Sequence, residues 1–383
     1  MAQPPGFLDQ SRLSDVCLLQ KALYGLKQAP RAWFTKLRLF LLDHGFVLRK
    51  SDTSLFIRRS GKLVLYILVY VDDLIITGSC SIAISEFINL LHATFSLRDL
   101  GPLHYFLGIE LVRHKSIIVL SQQKYIRDPI NCSCMADAKP IASPAESASR
   151  LVQTGDLIID VHLYQSIVGA LQYVTITRLE ISYAVNCVCQ FMHNPTDIHW
   201  YDVKHILRYF KGTIDSGLVL RPCTDHHLVA YSDAGWASDG DDCHSQHGFA
   251  IYYGDNLISW SSKKQQVVAK SSSEAEYRAI AFTATELIWL ELLLQELHAP
   301  LSPPSILLCE NLSATYMSAN PVFHQRSKHI KIDYHFVREQ VDNSSLIVCH
   351  VRSLDQIVDI FTKAVGTARF ATLRSKLHVA APP

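Results

Sequence analysis

The chain has 383 residues, room for two or three domains of ordinary size. Its 49% hydrophobic and 19% charged residues exclude a disordered or low-complexity protein. Lys plus Arg number 36 against 35 Asp plus Glu, so a formal charge of +1 gives no argument for nucleic acid, and any such surface must be local. Residues 1–130 alternate helical and strand patterns. "PRAWFTKLRLFLLDHGF" places Trp33, Leu37, Phe40 and Leu41 on one helical face, with Gly45 after His44 suited to end it. "SLFIRR" and "LVLYILVYVDDLIITG" read as strands, "SIAISEFINLLHATF" as a helix and "LHYFLGIELVRH" as a strand.

Residues 135–150, "MADAKPIASPAESASR", are rich in Ala, Ser and Pro without apolar periodicity, and read as a linker inside a region of residues 131–225. The rest of that region is helical in pattern. From residue 226 the order is clearer. Three consecutive strands ("HLVAYSDA", "GFAIYYGD", "LISWSSK") precede a long helix over residues 273–298. A fourth strand ("SILLCEN"), a short helix, the amphipathic "HIKIDYHFVREQV", a fifth strand ("SLIVCHV") and a last helix ("LDQIVDIFTKAV") follow. This order predicts one α/β domain with a mixed five-stranded sheet over residues 226–365, and a C-terminal tail over 366–383.

No apolar run reaches the roughly 18–20 residues of a membrane helix and no signal peptide opens the chain, so no membrane partner is expected. The ten cysteines include no C-x-x-C pair. Cys132/Cys134, Cys187/Cys189 with His193, and Cys243 with His244 and His247 lack the two clear ligand pairs of a structural zinc site. They read as reduced, mostly buried thiols of an intracellular protein, cytoplasmic or nuclear.

Several residues could carry chemistry. Asp72 and Asp73 sit at the tip of an apolar hairpin, either as a polar turn or as oxygen ligands for a divalent metal, Mg²⁺ or Mn²⁺. "KALYGLKQAPRAWFTKLR" interleaves Lys21, Lys27, Arg31, Lys36 and Arg38 with Tyr24 and Trp33. That pattern suits phosphate contact and base stacking, or a solvated amphipathic helix. Asp233 ends the first strand of the C-terminal domain, Glu276 opens the long helix, Glu310 ends the fourth strand and Asp359 lies on the last helix. The bland alternatives are strand-end turns, a capping box of Ser273 with Glu276, and a surface helix residue at 359.

Y-V-D-D on a hairpin, with "LYGLKQAPRAWF" before it and "LGPLHYFLGIEL" after, resembles the reverse transcriptase of copia-type LTR retrotransposons. The resemblance continues through "YQSIVGALQYVTITRLEISYAVN", "ILRYFKGT", "YSDAGWA", "LISWSSKKQ", "SSSEAEYRA", "KHIKIDYHFVRE" and "DQIVDIFTK", and covers nearly the whole chain. It implies an α+β polymerase palm remnant over 1–130, a thumb or connection region over 131–225, and an RNase H-like domain. It places Tyr24, Gly25, Lys27, Gln28 and Arg31 beneath an incoming nucleotide, and Asp72 and Asp73 as palm carboxylates. It makes Asp233, Glu276, Glu310 and Asp359 the ligands of two metal ions, with His350 beside the leaving group. The implied partner is nucleic acid, an RNA–DNA hybrid or a template–primer duplex; oligomeric state stays open.

The same resemblance implies departures. The family's first polymerase aspartate lies on an earlier strand, upstream of the segment matched by "MAQPPGF". Asp9 and Asp15 do not replace it, so this chain alone is expected not to polymerise. The family has Asp where this chain has Glu310, "DADWA" where it has "DAGWA", an Arg- and Ser/Thr-rich segment where it has Cys243 to Gly248, and "TRPDISYAV" where it has Leu179 and Glu180. A fragment that binds metal and hybrid but cleaves slowly or not at all is expected. An active ribonuclease and a non-catalytic binder are the rival readings.

Overall fold

In the computed structural model, which describes residues 2–20, 23, 25–146, 151–320 and 330–382, the first helix is α1 (Ala29–Asp43). Pro30 sits in its first turn, where its missing N–H is no loss. Gly45, at φ +80°, follows the helix end as expected. Strands β1 (Val47–Leu48), β2 (Leu55–Ser60), β3 (Leu63–Tyr70) and β4 (Asp73–Gly78) form an antiparallel sheet in that order, followed by α2 (Ser81–Thr94). Alternate residues of β3, Leu65, Ile67 and Val69, pack with Leu37 and Leu41 of α1 and Phe87 and Leu91 of α2. Burying each such side chain stabilises the unit by about 1.5–3 kcal/mol. This unit closes at Gly101, and Pro102 opens a second one.

The second unit runs β5 (Tyr105–Phe106), β6 (Ile109–His114), β7 (Ile117–Ser121), α3 (Gln123–Cys132), α4 (Val161–Val174), α5 (Ser182–Cys189), α6 (Asp197–Thr213) and β8 (Gly217–Leu220). It continues through β9 (Leu228–Gly235), β10 (Gln246–Tyr253), β11 (Asn256–Lys264), α7 (Ser272–Glu296), β12 (Ser305–Cys309), α8 (Leu312–Ala319) and α9 (Lys331–Asp342). It ends with β13 (Leu346–His350), α10 (Asp359–Thr362), α11 (Thr367–Lys376) and β14 (Val379–Ala380). Two five-stranded sheets result, β14-β8-β7-β6-β5 and β11-β10-β9-β12-β13. In the second, β9 to β11 are antiparallel while β12 and β13 run parallel to β9. This is the mixed five-stranded sheet that the sequence order predicts, with α7 as the crossover between β11 and β12.

The domain limits need correction. The boundary expected at residue 130 falls at Gly101–Pro102, because β7 pairs with β8 almost a hundred residues later, a long-range match that composition cannot reveal. "LHYFLGIELVRH" is a tight hairpin of two strands rather than one strand, turning at Leu107 and Gly108 with positive φ. The 366–383 segment is no loose tail. Phe370, Leu373, Leu377 and Val379 are buried, and β14 pairs with β8. Nor does residue 226 start a separate domain. One core joins Val168, Ile206 and Phe210 of the helical region to Ala250, Leu257, Val358 and Phe361. The Ala/Ser/Pro-rich stretch lies on α6, where Arg208 donates to the Lys139 carbonyl at 2.9 Å; its residues 147–150 lie outside the described ones.

One departure from the family pattern explains itself here. Glu180 is fully buried and bonds Arg178 at 2.8 Å, while Arg178 also donates to the Thr213 carbonyl and hydroxyl, and the Tyr209 hydroxyl donates to Glu180. The buried carboxylate of Glu180 therefore has its charge compensated where it lies.

Candidate active site

The two acidic regions differ from the backbone up. At the hairpin, Tyr70 pairs with Asp73, so the turn consists of Val71 and Asp72 alone. Val71 has φ +50°, a left-handed conformation that costs a β-branched residue energy and marks a strained turn. Asp72 and Asp73 are both exposed. Among the described residues neither takes part in an ion pair, and no third potential metal ligand joins them. The nucleotide loop is also open: Gly25, at φ +87°, Lys27, Gln28 and Arg31 are all exposed, the last three around the start of α1. Tyr24 lies outside the described residues.

In the second unit the acids converge. Asp233 on the central strand β9, Glu276 in the second turn of α7 and Glu310 directly after β12 bring one carboxylate oxygen each within 4.8 Å of one another. The parallel pairing of β9 with β12 sets Ser232 opposite Cys309 and so aligns the next residues, Asp233 and Glu310. Glu276 is free for this role because the helix is capped elsewhere. The cap is Ser271, whose hydroxyl accepts from the Glu274 amide at 3.3 Å, so the Ser273–Glu276 capping box does not form. Asp233 is 1% and Glu276 4% exposed. Burial pushes both carboxyls well above the carboxylate range, and each is raised further by Glu310 nearby, with Asp359 adding at Asp233 and Asp233 adding at Glu276.

Asp359 begins the one-turn helix α10, not the last helix, and stands apart from the trio. Its Oδ1 takes the Lys363 ammonium at 2.7 Å, and its Oδ2 accepts from Arg369 at 2.7 and 3.2 Å. Arg369 is itself fixed to the carbonyls of Ser353, Leu354 and Gln356. Lys363 also approaches Glu310 at 4.0 Å. Thr362 donates to Asp233, and the buried Cys309 thiol, raised by burial, lies 3.7 Å from Glu276. His350 ends β13, is exposed, and makes no hydrogen bond or ion pair with these acids among the described residues. Sequence reasoning missed Lys363, Arg369, Thr362 and Cys309. Only Lys363 carried a signal, its i,i+4 spacing from Asp359.

Gly235, where the family pattern has an acid, is close-packed: a Cβ there would lie 3.0 Å from the Thr362 carbonyl oxygen and 3.4 Å from Ser238 Cβ. Gly248 has a similar reason, since its Cβ would meet Phe361 and Ser261 at 2.9 Å. Its neighbour His247 is buried with both ring nitrogens unbonded, against the Phe282 ring, and burial lowers it to about 4. The cysteines form no metal-ligating group with histidine among the described residues. They are also less buried than expected, with Cys309 alone buried and Cys17, Cys132, Cys134 and Cys243 exposed. No described helix is long and apolar enough to cross a membrane.

Residues 1–147 match a family model described as reverse transcriptase (RNA-dependent DNA polymerase). The whole chain is 47% identical to a retrovirus-related Pol polyprotein from transposon RE2 of Arabidopsis thaliana, and it spans 26%, about a quarter, of that protein's length. It is 32% identical, over 74% of its length, to 94% of a transposon Ty5-1 protein of Saccharomyces cerevisiae. Among solved structures, the N-terminal RNase H domain of a Mycobacterium tuberculosis protein aligns with 39% of this chain and 98% of its own, at 13% identity and a TM-score of 0.28. This chain's own strand order, β11-β10-β9-β12-β13 with β12 and β13 parallel to β9, carries the RNase H-like architecture.

Proposed function

The chain belongs to the copia-type retrotransposon Pol family, and on that premise we propose that its second unit binds RNA–DNA hybrid and a divalent cation, Mg²⁺ or Mn²⁺, and cleaves the RNA strand slowly. The observation that carries this reading is the convergence of Asp233, Glu276 and Glu310 from two strands and a helix. The fit to a hard cation rests on the donor set, all carboxylate oxygen, and on Lys363, whose ammonium already stands beside Glu310 and Asp359. Asp233, Glu276 and Glu310 would hold the ion. When bound, it would polarise a phosphodiester oxygen and acidify a water molecule.

The chain's own residues do the rest. Thr362 fixes the Asp233 carboxylate by donating to it, and Arg369 holds Asp359 in one orientation. His350, at the exposed end of β13, is the group available to give a proton to the leaving oxygen. Glu310 extends its carboxylate one methylene further than the family's Asp, and a misplacement of about 1 Å can cost about a hundredfold in rate. Slow cleavage follows from that. For the palm, two exposed acids with no third ligand near them among the described residues support weak binding of one ion rather than templated synthesis.

The test is hydrolysis of a labelled RNA–DNA hybrid by the full chain with Mn²⁺. Slow, metal-dependent cleavage is expected, lost in Asp233→Asn and faster in Glu310→Asp. Binding of hybrid without any cleavage would leave the non-catalytic reading, and cleavage that survives Asp233→Asn would remove the acid cluster from the chemistry.

A further inference from the structure

Resting on that reading of the acid cluster, we infer that the site takes one divalent ion and that the Lys363 ammonium occupies the place of a second. Both oxygens of Asp359 are already engaged by cationic nitrogens, Oδ1 by Lys363 at 2.7 Å and Oδ2 by Arg369 at 2.7 Å. Lys363 Nζ also lies 4.0 Å from Glu310 Oε1, so the ammonium stands between Glu310 and Asp359. An ion shared by those two acids would have to displace it against like-charge repulsion. The position is not accidental. Lys363 follows Asp359 by four residues as the extended residue that ends the single turn of α10, and the preceding Thr362 anchors the same turn to Asp233.

Charge supports the same count. Since metal ligands and ion-pair partners are ionised when engaged, the acids Asp233, Glu276, Glu310 and Asp359 bring four negative charges to the metal-bound site, and Lys363 and Arg369 bring two positive ones. One divalent ion neutralises the balance, whereas two would leave the nucleic-acid-free site positive. The three acids that do converge, Asp233, Glu276 and Glu310, are those Arg369 does not hold. Lys363 is thus a fixed cation of the site, and Asp359 serves as its anchor rather than as a metal ligand.

The test is Mn²⁺ titration of the full chain without nucleic acid, followed by calorimetry and by electron paramagnetic resonance, in a background carrying Asp72→Asn and Asp73→Asn to silence the hairpin acids. One Mn²⁺ per chain with an uncoupled signal is expected for the parent. Lys363→Met should bind two, with the exchange-coupled signal of neighbouring ions, and Lys363→Arg should stay at one. Two coupled ions in the parent, or a single ion in a folded Lys363→Met, would overturn the inference while leaving the acid cluster as a metal site. No Mn²⁺ bound by any of the proteins would overturn both the inference and the site reading beneath it. Since Lys363 is 46% exposed, its replacement does not open the core, and circular dichroism checks that the fold is kept.

Discussion

The two acidic regions hold the same chemical group in opposite surroundings. Asp72 and Asp73 stand on an exposed two-residue turn without a cation partner among the described residues, and water can solvate both. Asp233 and Glu276 are at most 4% exposed and are crowded by Glu310, so their protonation, their ion pairing and their readiness for a cation are all set by packing. Like charges in a turn therefore say little about a metal, whereas like charges gathered in an interior demand a proton, a fixed cation or a bound ion. The chain uses all three kinds of relief: raised carboxyls at Asp233 and Glu276, Lys363 and Arg369 at Asp359, and, on the proposed reading, a divalent ion at the trio.

The contrast can be broken most directly by removing one buried and one exposed acid. Glu180→Ala leaves Arg178 buried and unpaired and should destabilise the second unit by about 3–5 kcal/mol. Asp72→Ala should stay within about 0.5 kcal/mol. Denaturant unfolding measures both, and equal losses would erase the distinction.

A pH series sharpens it. Burial holds His247 near 4 against an ordinary 6.5, so the unfolded chain takes up the proton first as pH falls. Stability is thus lost between pH 6.5 and 4 and is fully present above that window. The stability of the parent relative to His247→Thr should fall by about 3 kcal/mol as pH drops through it, read as thermal midpoints at each pH; a difference independent of pH would mean that His247 is solvated.

Metal binding separates the regions next. Asp233→Asn should weaken Mn²⁺ affinity by more than tenfold, since even outer partners of a metal site cost roughly 10–100-fold. Asp72→Asn should leave the interior site unchanged. Calorimetry decides, and a larger effect at the hairpin would reverse the comparison.

The exposed region has its own test in salt. Charge reversal at Lys27 and Arg31, both exposed, should weaken hybrid binding several-fold and lower the slope of log affinity against log salt by about 1 for each residue. An unchanged slope would remove these residues from the nucleic-acid surface. The smallest effect concerns the turn itself. Val71→Gly relieves a positive φ on a β-branched residue and should stabilise the first unit by about 0.5–1 kcal/mol, seen as a raised denaturant midpoint.

Much of this was legible in the residues. The order of strands and helices from Leu228 onward, the hairpin at Asp72–Asp73 and the α1 face of Leu37 and Leu41 all follow from periods of two and 3.6 and from turn chemistry, which are local properties. Motif order likewise led to the family and singled out the four acids as candidates. What local pattern could not carry was pairing across distance. The match of β7 with β8 moved the domain boundary to Gly101, and the docking of β14 on β8 turned an expected tail into part of a sheet.

The site shows the same division. Sequence supplied Asp233, Glu276, Glu310 and Asp359 as a set. The tertiary structure separated the first three, close enough to share an ion, from the fourth, held by Lys363 and by Arg369 ten residues on. It also moved the helix cap from Ser273 to Ser271 and so freed Glu276 to face inward. Which residues form helices and strands is decided by neighbours along the chain. Which carboxylates meet a cation, and which meet each other, is decided by burial and by distances that exist only once the sheet has closed.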